Sequence, residues 1–139
     1  VQYGSQKNDT PAATRDLTSD VFGLMGSVNI SDFTLSAAYN DADGTLTDGF
    51  GGGPFFTSAD DHTVDGTLDQ SAVAVGAEYG GIEGLTRGVL NANFDKGEGE
   101  DETDYYAAYE VNKSLSFERI HADINKDSNN TRLVANQSF

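Results

Sequence analysis

Cysteine is absent from this chain, proline occurs twice, and 8 basic residues stand against 23 acidic ones. Without cysteine there is no disulfide framework and no thiolate chemistry, and nothing fixes the redox compartment. A formal charge of −15 argues against a nucleic-acid partner, because phosphate contacts need clustered Lys and Arg. Cations rather than anions are drawn to such a chain. No run approaches the roughly 20 apolar residues of a membrane helix. That absence leaves a membrane open, because a spanning β-strand needs only about ten residues, apolar at alternate positions, inside a hydrophilic average. Nucleophile elbow, P-loop and zinc spacing are also missing, which argues against an enzyme.

What the chain does contain is strand material. Its 139 residues suit one domain rather than two. Sixteen glycines, with abundant Tyr, Phe, Val and Thr, lean towards strands joined by turns. In "DFTLSAAYN", Phe33, Leu35, Ala37 and Tyr39 alternate with Thr34, Ser36, Ala38 and Asn40. "VFGLMGSVNI", "SAVAVGAEY", "RGVLNANFD" and "TDYYAAYEVN" alternate likewise, and their second faces are mostly small or polar. This period of two predicts strands. "VQYGSQ" offers only Val1 and Tyr3, and "LSFERIHADIN" changes parity between Phe117 and Ile120. Either one face there is mixed, or a bulge near Glu118 turns Arg119 and His121 inward. With "TRLVANQSF" the count reaches about eight strands of membrane-spanning length.

Short links at 31–32, 80–84 and 112–114 alternate with long ones at 9–19, 41–70, 95–103 and 126–130. In an up-and-down meander this sorts tight turns to one end and long loops to the other, as in outer-membrane barrels. On that meander Phe33, Tyr79, Tyr109, Phe117 and Phe139 fall near one rim, and Phe22, Tyr39, Phe94 and Tyr105 near the other. Two aromatic belts are expected at two membrane interfaces. The acids concentrate in the loops, as a wall facing hydrocarbon requires. The expected fold is all-β: an antiparallel up-and-down transmembrane β-barrel, one domain over 1–139 with a long loop at 41–70.

The ending on Phe139, with Leu133 and Ala135 behind it, resembles the C-terminal strand that the outer-membrane barrel assembly machinery recognises, although Gln137 stands where an aromatic is usual. "SDVFGLMGSVNISDFTLSAAYNDADG", "GFGGGPFFTSADDHTVDG", "VGAEYGGIEGLT" and "DYYAAYEVNKSLSFERIHADI" together resemble the C-terminal part of OprD-like porins of the epsilonproteobacterial type. The resemblance implies an outer-membrane channel for passive diffusion of ions and small hydrophilic solutes. It implies lipid and lipopolysaccharide as neighbours, and a homotrimer is among the assemblies open to it. Starting on Val1 inside a strand, the chain is expected to form part of a larger barrel of roughly 16 to 18 strands. A self-contained eight-stranded barrel is geometrically open too.

A porin makes no bonds; it selects by width and charge. The expected lining is Arg87, Asn91, Asn93, Asp104, Glu110, Glu118, Arg132 and Asn136. Arg87 and Arg132 could hold a solute carboxylate in the guanidinium fork or pair with lining acids. The stretch "GFGGGPFFTSADDHT" is too long for a plain turn, and adjacent exposed phenylalanines are costly. It is expected to fold over or into the pore and narrow it, with Pro54, Phe55, Phe56, Asp60 and Asp61 as the constriction residues. No cofactor is expected. "DADGTLTD" fails as a calcium loop, since aligning Gly44 with the invariant glycine puts Tyr39 and Phe50 at the terminal ligand positions. Weak Ca2+ or Mg2+ binding by the acidic loops stays open, and His62 is expected to be solvated. Two other readings are a small closed barrel serving as anchor or adhesin, and a secreted β-sandwich binding ligands through its acidic loops.

Overall fold

The computed structural model describes residues 1–8, 17–44, 55–64, 69–95, 101–124 and 128–138. It contains β1 (Gln2–Asn8), β2 (Leu17–Ile30), β3 (Phe33–Gly44), β4 (Ser71–Ile82), β5 (Leu85–Phe94), β6 (Asp101–Asn112), β7 (Leu115–Ile124) and β8 (Ser128–Gln137). All eight strands lie in one sheet in sequence order, each antiparallel to the next. The second sheet of a sandwich is absent among the described residues. The up-and-down meander is therefore present, but the closed barrel is not: no ladder joins β1 to β8.

Three tight turns share one end of the sheet, at Ser31 and Asp32, at Glu83 and Gly84, and at Lys113 and Ser114. Gly84 has a φ of 75°, and a Cβ there would meet the Glu110 carbonyl oxygen at 2.9 Å. Only glycine fits that backbone without strain. At the chain's last described residue, the Ser138 N–H donates to the Ser114 carbonyl at 3.0 Å.

These turns descend a staircase. Phe33, Tyr79, Arg87, Ala107 and Arg119 stand opposite one another in one cross-strand row. The β2–β3 turn adjoins this row, whereas Leu85 lies two residues beyond Arg87 and Leu115 lies four beyond Arg119. The displacement amounts to one residue per strand. At about 3.3 Å per residue and about 4.8 Å between strands, it inclines the strands by about 35° to the normal of the line of turns. Barrel walls tilt by about that much.

One face of the sheet, here called outer, carries Phe22, Leu24, Val28 and Ile30 of β2, Phe33, Leu35 and Tyr39 of β3, and Val73 and Val75 of β4. These side chains are exposed, Val73 and Val75 by 51% each. The inner face is the covered one. Ala38, Ala74 and Ala92 stand side by side in a buried row, and Asn40, Ala72 and Phe94 form the next. A segment over 55–64, the strap, lies on these rows. Its Ala59 and Val64 are buried, and Phe55 and Phe56 pack on the same cluster. Alanines on the wall leave room for the strap, which converts one patch of the inner face into a small core.

Two expectations need correction here. The ladder runs unbroken from Phe117 to Ile124, so no bulge lies near Glu118, and Arg119 and His121 stay on the outer face. The alternative of a mixed face is what occurs: Ile120 and Ala122 turn inward while Phe117 turns outward. The register shifts lie instead beside the tight turns, between Tyr79 and Ile82 and between Glu110 and Asn112.

Candidate functional site

Alternation along each strand delivers Asn40 from β3, Glu102 and Asp104 from β6, and Asn130 and Arg132 from β8 to the inner face, where the strap crosses them. At the β3 end the Thr57 N–H and hydroxyl both donate to Asn40 Oδ1, at 3.0 and 3.2 Å. Asn40 and Thr57 are both 0% exposed. Midway, the Asp60 N–H donates to Asp104 Oδ2 and the Asp61 N–H to Glu102 Oε1, each at 2.8 Å. His62 Nδ1 meets Glu102 Oε2 at 2.7 Å. At the far end Arg132 pairs with Asp60, and the Asn130 amide donates to the Asp61 carboxylate at 3.3 Å. The strap is thus tied to β3, β6 and β8 across the inner face.

Acidic side chains dominate this crossing. Asp60, Asp61, Glu102 and Asp104 crowd together against Arg132 and His62, and Glu118 lines the recess of about 240 Å3 beneath Asp60. Burial pushes the Asp60 carboxyl above its ordinary 3.8; Arg132 opposes that rise, and Asp61, Glu102 and Glu118 add to it. Glu102, 0% exposed, is held by charge-assisted bonds from a backbone N–H and an imidazole, which are stronger than neutral ones. Asp104 Oδ1 is buried with no hydrogen-bond partner.

Of the expected lining, Asp104, Glu110, Glu118, Arg132 and Asn136 share the inner face. Arg87, Asn91 and Asn93 do not. Their pairing with Tyr79, Val75 and Val73 puts them outside, with Arg87 over the Tyr79 ring at 5.1 Å and Asn93 bonded to Asp101. The guanidinium of Arg132 pairs with Asp60 of the strap. Phe55, Phe56, Asp60 and Asp61 lie on the inner face as expected of a constriction segment; Pro54 falls outside the described residues.

Among the belt aromatics, Phe22, Phe33, Tyr39, Tyr79, Tyr105, Tyr109 and Phe117 are outward, with the Phe33 and Tyr79 rings 4.8 Å apart. Phe94 is corrected: it is buried inward, its ring 6.3 Å from His62. Phe139 lies outside the described residues. Among those described, no three acidic, His or Cys side chains are grouped to hold a metal ion. Asn40, Thr57 and Glu102 are the anchors that sequence reasoning did not single out, and the expectation of a solvated His62 is corrected: it is half-buried and bonded to Glu102. Asn40 carried a usable signal, as the polar end of the face "TSAN" that alternates with the apolar one.

Compared with family models, with curated proteins and with solved structures, the chain returns no match.

Proposed function

We propose that this chain forms wall of an outer-membrane porin, a water-filled passage for ions and small hydrophilic solutes, with the strap narrowing it. The observation that carries the reading is the inversion of the sheet. Across β2, β3 and β4 large apolar side chains stand on a face that no described residue covers, while mostly small and polar ones face the strap. A soluble sheet buries the first set, because exposed apolar patches beyond a few hundred Å2 mark contact surfaces. Lipid accounts for the apolar face, water for the acidic one, and the tilt of about 35° suits a barrel wall.

The strap also speaks to width. An eight-stranded barrel has an interior that its own side chains just fill. Residues 55–64 lie on the inner face as well, and a wider wall leaves room for both them and a water-filled passage. This favours part of a larger wall over the small closed anchor, in line with the OprD-like resemblance of the motifs. The lining we assign is Asp61, Glu110, Glu118, Arg132 and Asn136, which are exposed or half-buried, and its excess of carboxylates over the one guanidinium favours cations. Reconstitution of the full-length natural protein into planar bilayers tests the proposal. The expected result is stepwise, cation-preferring conductance together with heat-modifiable migration on gels; a protein that stays soluble without detergent and never conducts overturns it.

A further inference from the structure

Tyr106 of β6 faces inward, in one cross-strand row with Gly88 of β5 and Glu78 of β4. Its ring lies along that row instead of standing up from the wall. A Cβ added at Gly88 would collide with the Tyr106 ring carbon Cζ and hydroxyl and, less severely, stand 2.9 Å from the Ala77 carbonyl oxygen. The hydroxyl continues past Gly88 and donates to Glu78 Oε2 at 2.9 Å. One side chain therefore covers three strands, and only a residue without a side chain at position 88 lets it lie down. Two recesses flank it on the inner face, one of about 300 Å3 bordered by Met25, Ser36 and Gly76, the other of about 240 Å3 under the strap at Ala59 and Asp60. Tyr106 and Leu90 line both.

We propose that Tyr106, laid flat over Gly88 and tied to Glu78, sets the bore of the passage immediately beneath the strap. The inference rests on the channel reading above and adds a width-determining trio to it. Aromatic cover of a strand glycine is also a stabilising device in sheets; what separates the two roles is where the ring goes when it is displaced. Lifted by a methyl group at 88, it can only rotate into the space over the inner face, because the strands on either side close off the wall.

The test is single-channel recording of the full-length natural protein with Gly88→Ala, alone and combined with Tyr106→Ala. The single variant should conduct about twofold less and exclude smaller neutral polymers, since width governs passage in such a pore. The double variant should return to the unaltered level or above it. Unchanged conductance in Gly88→Ala overturns the inference, and so does a double variant no better than the single one, which would mean general distortion of the wall. If the unaltered protein shows no conductance, the channel reading itself fails and this inference with it.

Discussion

Asn40 shows how much one side chain can hold. Buried at 0% exposure, it offers one oxygen to two donors of Thr57, so Asn40→Ala leaves a buried N–H and hydroxyl unsatisfied. A loss of about 1–3 kcal/mol is expected, read as a lowered denaturation midpoint and faster proteolytic nicking at residues 55–64. Asp60 gives the strap a pH dependence. Its carboxyl titrates above the ordinary 3.8 when docked, so the docked strap holds that proton more tightly than a free one. Its contribution is fully present below 3.8 and is lost as pH rises through the raised value. Protease resistance of the strap should therefore fall across that window, and Asp60→Asn should flatten the profile; an unchanged profile contradicts the assignment. At this scale the sequence made legible that Phe55 and Phe56 pack inward against the sheet. Glu102 was not legible, since its acidic run "GEGEDETD" reads as loop although the ladder extends to Asp101.

At the scale of strands, β3 and β4 could be read correctly because one face is apolar and the other small or polar. β5 and the upper half of β7 could not. Leu90, Ala92 and Phe94 on β5 are inward although apolar because they join the local core under the strap, and Ile120 and Ala122 on β7 face inward beside it. A rule that sends apolar residues to lipid fails wherever the inside is covered too, and it misplaced Arg87, Asn91 and Asn93. Arg119 is the sharpest consequence. It is exposed on the outer face, in a row between Ala107 and Leu133, about midway between the turn end and the upper aromatics. A basic side chain facing hydrocarbon at mid-depth costs about 2–4 kcal/mol, so Arg119→Leu should stabilise the protein in lipid by about that much. Equilibrium unfolding from bilayers measures it; a destabilised variant would mean that something other than hydrocarbon meets Arg119.

Among the described residues the molecule is a tilted, single-layer sheet with a strap across one face and with the edges of β1 and β8 unpaired. Edges of this kind are templates for further pairing, and an uncovered apolar face compounds the exposure. Removed from amphiphile, the chain should aggregate, and in detergent it should stay dispersed; light scattering across the critical micelle concentration reads this directly. The architecture was legible as a meander because loop lengths alternate and the strands repeat with period two. The choice between part of a larger barrel and a closed eight-stranded one was left open there, because pairing between β1 and β8 has no local sequence signal.

The central claim is that alternate side chains of one strand meet hydrocarbon and water, and spin labels along β3 of the full-length protein in lipid vesicles test it most directly. Labels at Leu35, Ala37 and Tyr39 should be reached by dissolved oxygen and shielded from a water-soluble nickel complex, with the reverse at Thr34 and Ser36. A profile without that alternation, or one with the odd positions shielded from both reagents in a sealed interior, contradicts the account.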